Sequence, residues 1–290
     1  VGRGAPDPRD EVGIGLPLRR EHEAGVAAGR GPTMITRMQG QLGIRPEFEF
    51  TAEQRAVIDH AEGALLVVAG PGTGKTRVIV ERIARLVERG DARPQQILAL
   101  TFARRAAGEM QIRLARRLEA LAGPVTVGTF HSFCLTLVQQ HYDALGYPTP
   151  PRIIGPREQV ELVRRVLRHI APEALGPLAP VAARPFGARL IAEGIGRLAD
   201  GPPDSFDPAL RTALKAVAAA FHDAARTEAL LDLASLVPEA VRLLESEAAL
   251  ADELRARYRH IVVDEYQDTN APQERLLELL ARNSANLMVV

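Results

Sequence analysis

The stretch ALLVVAGPGTGKTRVIVERIARLVERG, Ala64 to Gly90, decides how the rest of the chain is read. The apolar run ending at Ala69 has the length and β-branching of a buried strand. A glycine-rich loop follows, and then a helical pattern with Ile79, Ile83, Leu86 and Val87 on one face, closed by Gly90. In the loop AGPGTGKT (Ala69, Gly70, Pro71, Gly72, Thr73, Gly74, Lys75, Thr76), the glycines let backbone N–H groups turn inward around an anion. The helix N-terminus reinforces that field. A strand–loop–helix setting is what a phosphate-binding loop requires. Lys75 is then placed to reach β- and γ-phosphates, and the Thr76 hydroxyl to join a Mg²⁺ shell. Ala69 stands where the general pattern has glycine, a small-for-small exchange. Lys75 also stands out by composition: of 36 basic residues, only it and Lys215 are lysines.

Outward from this unit the pattern repeats. A strand at Ile97 to Thr101 precedes a helix with Met110, Leu114, Leu118 and Leu121 in line. Another strand, Val125 to Val127, precedes a helix expected from Ser132 to Leu145. Alternating strands and helices imply a parallel sheet with helices on both faces. From Gly146 the rhythm becomes mainly helical, rich in Ala, Leu and Arg. The expected division is a disordered leader over 1–46, an α/β domain over 47–145 and 257–290, and an inserted helical subdomain over 146–256.

The sheet resumes in RHIVVDEYQDTNAPQ, Arg259 to Gln273. Ile261, Val262 and Val263 read as a buried strand, at whose end Asp264 and Glu265 stand side by side. Adjacent carboxylates there repel and lose solvation, so a cation is expected. With the phosphate loop in hand, that cation is Mg²⁺ on nucleotide phosphates, with Asp264 in its inner or outer shell. Glu265 is then the general base for the attacking water. Asn270 caps the next helix, over Ala271 to Ala281, and NLMVV begins one more strand, on which the chain is expected to break off.

Composition excludes little. The net charge is zero, so any nucleic-acid site must be a local patch. Cys134 is the only cysteine, which excludes an internal disulfide. No signal-peptide pattern and no spanning apolar run is present, so a cytoplasmic protein without membrane contact is expected.

Taken together, AGPGTGKT, LTFARRAAGEM, VGTFHSF and VVDEYQDTNAPQ, with FTAEQRAVI upstream, resemble motifs I, Ia, Ib, II and the Q motif of UvrD/Rep/PcrA-type superfamily 1 DNA helicases. The likeness runs from about Phe48 to Val290. It implies a P-loop, RecA-like sheet with an inserted helical subdomain, ATP and Mg²⁺ as cofactors, and 3′-to-5′ DNA unwinding. Single-stranded DNA and duplex junctions would be the partners. Gln54 would recognise adenine, although Thr51 and Gln54 also form a capping box. Arg77 would be a further nucleotide contact or a solvated helix arginine. Thr101, Phe102, Thr129, Phe130, His131 and Ser132 fall on motifs that line the family's DNA track. Arg104, Arg105, Arg113, Arg116 and Arg117 against the single acid Glu109 form a basic face beside it. For each residue alone, core packing or a solvated face is an equal alternative.

Four departures qualify the resemblance, one of them the scarcity of stacking platforms in a chain with 4% aromatics and no Trp. FARRAAGEM has Arg104–Arg105 where the family commonly has Asn–Lys, and LDLASL keeps only Asp232 of an aspartate-rich stretch. The family's second RecA-like domain, whose arginines reach the nucleotide, is a missing partner. Two other functions stay open: the motor of a RecB-like helicase–nuclease, and a nucleotide-dependent DNA-binding module without turnover.

Overall fold

A computed structural model describes residues 49–60, 62–70, 72–118, 124–201, 207–282 and 286–290. The leader expected over 1–46 and Pro71 of the phosphate loop lie outside them. The chain opens with α1 (Ala52–Asp59), β1 (Leu65–Leu66) and α2 (Lys75–Glu88). Then come β2 (Ile97–Thr101), α3 (Arg104–Arg117), β3 (Thr126–Thr129) and α4 (Phe130–Gln140). A middle region holds β4 (Arg152–Ile154), α5 (Pro156–Leu167), α6 (Pro172–Leu175), α7 (Ala179–Ala182), α8 (Gly187–Ala199), α9 (Pro208–Thr227) and β5 (Leu230–Asp232). It leads into α10 (Leu236–Ser246), α11 (Ala248–Arg257), β6 (His260–Val263), α12 (Ala271–Ala281) and β7 (Asn286–Val289).

Five parallel strands form the main sheet in the order β1-β7-β6-β2-β3. Alternation along its central strands splits the core into two layers, as a parallel sheet covered on both faces demands. Leu98, Leu100, Ile261 and Val263 point to one face, where Phe130, Phe133, Leu137, Leu276 and Leu280 cover them. Ile97, Ala99 and Val262 point to the other, under Ile79, Ile83, Met110 and Leu114 of α2 and α3. The expected α/β class is observed.

Several boundaries differ from the sequence reading. The strand expected up to Ala69 pairs regularly only at Leu65–Leu66, with one further bond from Val67 N–H to the Val289 carbonyl at 2.9 Å. The helix expected to run to Leu145 starts at Phe130 and stops at Gln140, because the reciprocal cap of Thr129 and Ser132 fixes its first turn earlier. The middle region is not purely helical: β4 and β5 pair in parallel, Arg152 with Leu230 through Ile154 with Asp232. Its separate core uses Ile154, Leu162, Val163, Ile191, Ile195, Leu214, Val217 and Phe221. By contrast Leu236, Val237, Leu243 and Leu254 of α10 and α11 pack into the first layer of the main sheet. Among the described residues, no helix is long and apolar enough to cross a membrane.

Candidate functional site

All five strands of the main sheet point the same way, so the residues following β1, β2, β3 and β6 gather along one edge, where ligands sit in open α/β sheets. After β1 the chain turns through Gly72 (φ +75°) and Gly74 (φ +84°), left-handed values that a side chain would strain. Gly74 is the residue before α2, so the amides of Lys75 and Thr76 fall in the first helical turn and lack intrahelical acceptors. Thr73 braces the loop by donating its hydroxyl to the Gly70 carbonyl at 2.8 Å. Gln54 does two things at once. It completes the capping box with Thr51, and its Nε2 donates to the Thr73 carbonyl at 3.0 Å. The capping-box reading of this glutamine is observed, and its amide is tied to the phosphate loop as well.

Asp264 and Glu265 leave β6 toward the same loop, although β7 lies between β6 and β1 in the sheet; the two motifs meet across an intervening strand, not on neighbours. Lys75 Nζ donates to Glu265 Oε2 at 3.0 Å, joining positions 190 residues apart. Glu265 is held in the left-handed region (φ 56°, ψ 46°), a conformation uncommon for a side chain of its kind, which turns its carboxylate into the cleft. The Gln267 amide donates to that carboxylate, and Lys75 adds to the effect, so the Glu265 carboxyl sits below its usual range. Asp264 is the opposite case. It is 4% exposed, and burial first, then the Glu265 charge, raises its carboxyl above the usual range against the pull of Lys75. Its Oδ1 has no hydrogen-bond partner. A buried carboxylate oxygen with an open lone pair, near the charges of Lys75 and Glu265, fits a hard divalent cation.

A cleft of about 610 Å³ opens between these groups, walled by Gly72, Gly74, Lys75, Thr76, Arg77, Glu265 and Gln267. Arg113 of α3 also reaches it, 3.7 Å from Glu109. From sequence Arg113 is expected on the DNA side; the strand order instead packs α3 against α2, where Arg113 overlooks the phosphate loop. Arg77 lies with its guanidinium 4.4 Å from the centre of the Phe50 ring.

The residues matched to the DNA track divide sharply. Phe102 is 45% exposed at the tip of β2, whereas Phe130 is 1% exposed and belongs to the core, so its ring is closed to a base. Thr101 is buried and donates its hydroxyl to the Ala103 carbonyl at 3.0 Å. Thr129 and Ser132 spend their hydroxyls on each other's turn, with Ser132 N–H donating to Thr129 Oγ1 at 3.1 Å. His131 is half-buried, and burial lowers its pKa. Thr101, Phe102, Phe130 and His131 share one small recess with Gln273, which the sequence reading did not single out. The basic face of α3 is less bare than its own helix suggests. Arg105 pairs with Glu109 at 3.1 Å, and Arg117 bridges to Glu81 and Glu88 of α2. In the middle region, Asp232 is buried at the end of β5, 3.5 Å from the amide of Gln159.

The sequence pattern of the UvrD/REP helicase N-terminal domain matches residues 50–290, the α/β unit and its middle region together. The chain belongs to the UvrD/REP helicase family. Its fold is accordingly the RecA-like ATPase sheet of that family. Among relatives, the ATP-dependent DNA helicase PcrA of Staphylococcus aureus strain Mu50 is 32% identical over 245 residues. The PcrA helicase of Staphylococcus epidermidis strain RP62A is 32% identical over 246 residues. Each match covers 82% of this chain, and the chain spans 32% of the length of these relatives.

Proposed function

We propose that this chain carries the ATP-binding part of a DNA helicase of the 3′-to-5′ type. The RecA-like unit would comprise residues 47–145 and 257–290, with a mainly helical insertion over 146–256 whose last helices, α10 and α11, pack onto the main sheet. The observation that carries the reading is the meeting of Lys75 and Glu265 in one cleft at the phosphate loop, with buried Asp264 within reach of both charges and its Oδ1 left without a partner among the described residues.

Each residue then has a task. The backbone N–H groups of Gly72, Gly74, Lys75 and Thr76 bind phosphate oxygens, and Gln54 presents its amide to the N6/N7 edge of adenine. Lys75, which pairs with Glu265, would transfer to the β- and γ-phosphates when nucleotide enters. Arg113 adds a second cation from α3. Thr76 and Asp264 would hold Mg²⁺, which supplies charge neutralisation at the phosphates. Glu265, released from Lys75 and still oriented by Gln267, accepts the proton of the attacking water. Single-stranded DNA would lie along the same sheet edge, with Phe102 offering a stacking face, and Arg104, Arg105 and Arg116 contacting the backbone.

The test uses the 290-residue chain. It is expected to bind Mg·ATP, and to bind single-stranded DNA with an affinity that falls steeply with salt. Hydrolysis should be slow, because the family's second RecA-like domain supplies further arginines; loss of such an arginine lowers phosphoryl transfer by about 10³ to 10⁵. Failure to bind Mg·ATP would overturn the site, and strand separation by this chain alone would overturn the two-domain reading.

A further inference from the structure

Arg82 is the anomaly of the α/β unit. It lies on α2, is 2% exposed, and burial lowers its pKa, with no carboxylate paired to it among the described residues. Its Nη1 donates instead to two backbone carbonyls, Val57 at 2.9 Å and His60 at 2.7 Å. Both belong to the C-terminal end of α1, where the helix dipole is negative. Two further arginines share that face of α2, one and two turns on. Arg89 donates to Asp59 at 2.6 Å, and Arg85 lies 3.9 Å from the same carboxylate.

Why α1 needs such a clasp follows from its make-up. It has eight residues, too few for a stable helix in isolation, and only Ile58 is buried. One fully buried residue, with Val57 only partly buried beside it, leaves rotation about the helix axis loosely fixed by apolar contact alone. A rotation of ~10° would move an amide roughly 6 Å from the axis by about 1 Å, enough to spoil a two-point hydrogen bond. A buried aliphatic side chain would hold α1 without desolvating a charge. What the guanidinium adds is direction, two N–H vectors aimed at fixed carbonyls. At the other end of α1, Arg77 of α2 lies over Phe50. The first turn of α1 carries Gln54, and the first turn of α2 carries Lys75 and Thr76. One helix therefore references both the base end and the phosphate end of the cleft.

We propose that Arg82, seconded by Arg89, is a positioning residue that sets the adenine preference of the nucleotide site by locking α1, and with it Gln54, in register with the phosphate loop. The proposal rests on the assignment of Gln54 to adenine made above. The experiment compares Mg·ADP, Mg·GDP and Mg·pyrophosphate binding to the 290-residue chain by calorimetry. In the parent, ADP should bind at least about tenfold tighter than GDP, as expected where a built hydrogen-bonding site meets the wrong edge. Arg82→Met should bring the two within about threefold while pyrophosphate binding stays unchanged. Arg82→Lys, which keeps donors at the same carbonyls, should recover part of the preference. Should Arg82→Met not fold, the surface variant Arg89→Ala carries the test, with a smaller loss of preference in the same direction. An Arg82→Met protein, or failing that an Arg89→Ala protein, with undiminished preference overturns the proposal. So does a parallel loss of ADP and pyrophosphate, which marks a brace for the whole domain. Gln54→Ala separates the two claims: if it keeps the preference, the base assignment itself is wrong, whatever Arg82 does.

Discussion

Replacing Asp264 with asparagine should make the nucleotide-free protein more stable and the nucleotide-bound protein less so. Asp264 is 4% exposed, with Oδ1 unpartnered and the Glu265 carboxylate next to it. Its carboxyl is raised above 3.8, the value for a free side chain, so at neutral pH the ionised form is a burden on the folded state. The sign follows: the burden is present at pH 7 and is relieved as pH falls through the raised folded-state value. Asparagine removes the charge at constant shape. An unsatisfied buried polar group costs roughly 1–3 kcal/mol, and an amide keeps part of that, so a gain of about 1–2 kcal/mol is expected. For a domain of this size that is about 2–8 °C in Tm. Nucleotide reverses the order. Mg·ADP at a hundredfold over Kd adds about 2.7 kcal/mol to the parent, and the variant should lose the Mg²⁺-dependent part of it. Thermal unfolding of both proteins, with ADP in the presence and absence of Mg²⁺, reads this directly. A variant less stable than the parent without ligand would refute the reasoning, as would an unchanged Mg²⁺-dependent gain.

The other expectations are shorter. Lys75→Ala should weaken Mg·ATP binding at least tenfold, because the mobile cation at the phosphates is gone. Glu265→Gln should keep binding but slow single-turnover hydrolysis by about 10² to 10⁴, since an amide cannot take the water's proton; parental turnover would remove Glu265 from its role. Burial lowers the pKa of His131, His222 and His260 below 6.5, and His222 is fixed 3.0 Å from the Ser235 hydroxyl. Their neutral forms support the fold above pH 6.5, and that support fades as pH drops through the lowered folded-state values. Urea midpoints should therefore fall between pH 7 and pH 5, and a rise across that range would contradict these burials. Gly187→Ala should destabilise by about 1–3 kcal/mol, because its Cβ would sit 2.1 Å from the Val181 carbonyl oxygen. Chemical denaturation checks it.

Much of this was legible in the sequence because the signals are local. The loop from Ala69 to Thr76, the paired carboxylates, and the capping residues Thr51 and Asn270 each act within a few positions of themselves. Where the reading failed, the missing information was long-range. Nothing near Arg113 says that α3 faces the phosphate loop, and nothing near Arg117 says that Glu81 and Glu88 of α2 neutralise it. Phe102 and Phe130 are alike in sequence, each closing a strand, yet the first follows β2 into solvent and the second starts a helix packed into the core. The β4–β5 pair joins strands of three residues whose partners, such as Arg152 and Leu230, lie 78 positions apart, too short for a periodicity to mark. Arg82 reads as one more helix arginine until the carbonyls of α1 are seen above it.

The most direct test of the central claim is a crystal structure of the chain with Mg²⁺ and a non-hydrolysable ATP analogue. The phosphates are expected against the amides of Gly72, Gly74, Lys75 and Thr76. Lys75 should have left Glu265 for the phosphates, the metal should lie beside Thr76 and the open Asp264 oxygen, and Gln54 should face the adenine edge. A nucleotide bound away from this loop, or Lys75 still paired with Glu265 beneath it, would contradict the account.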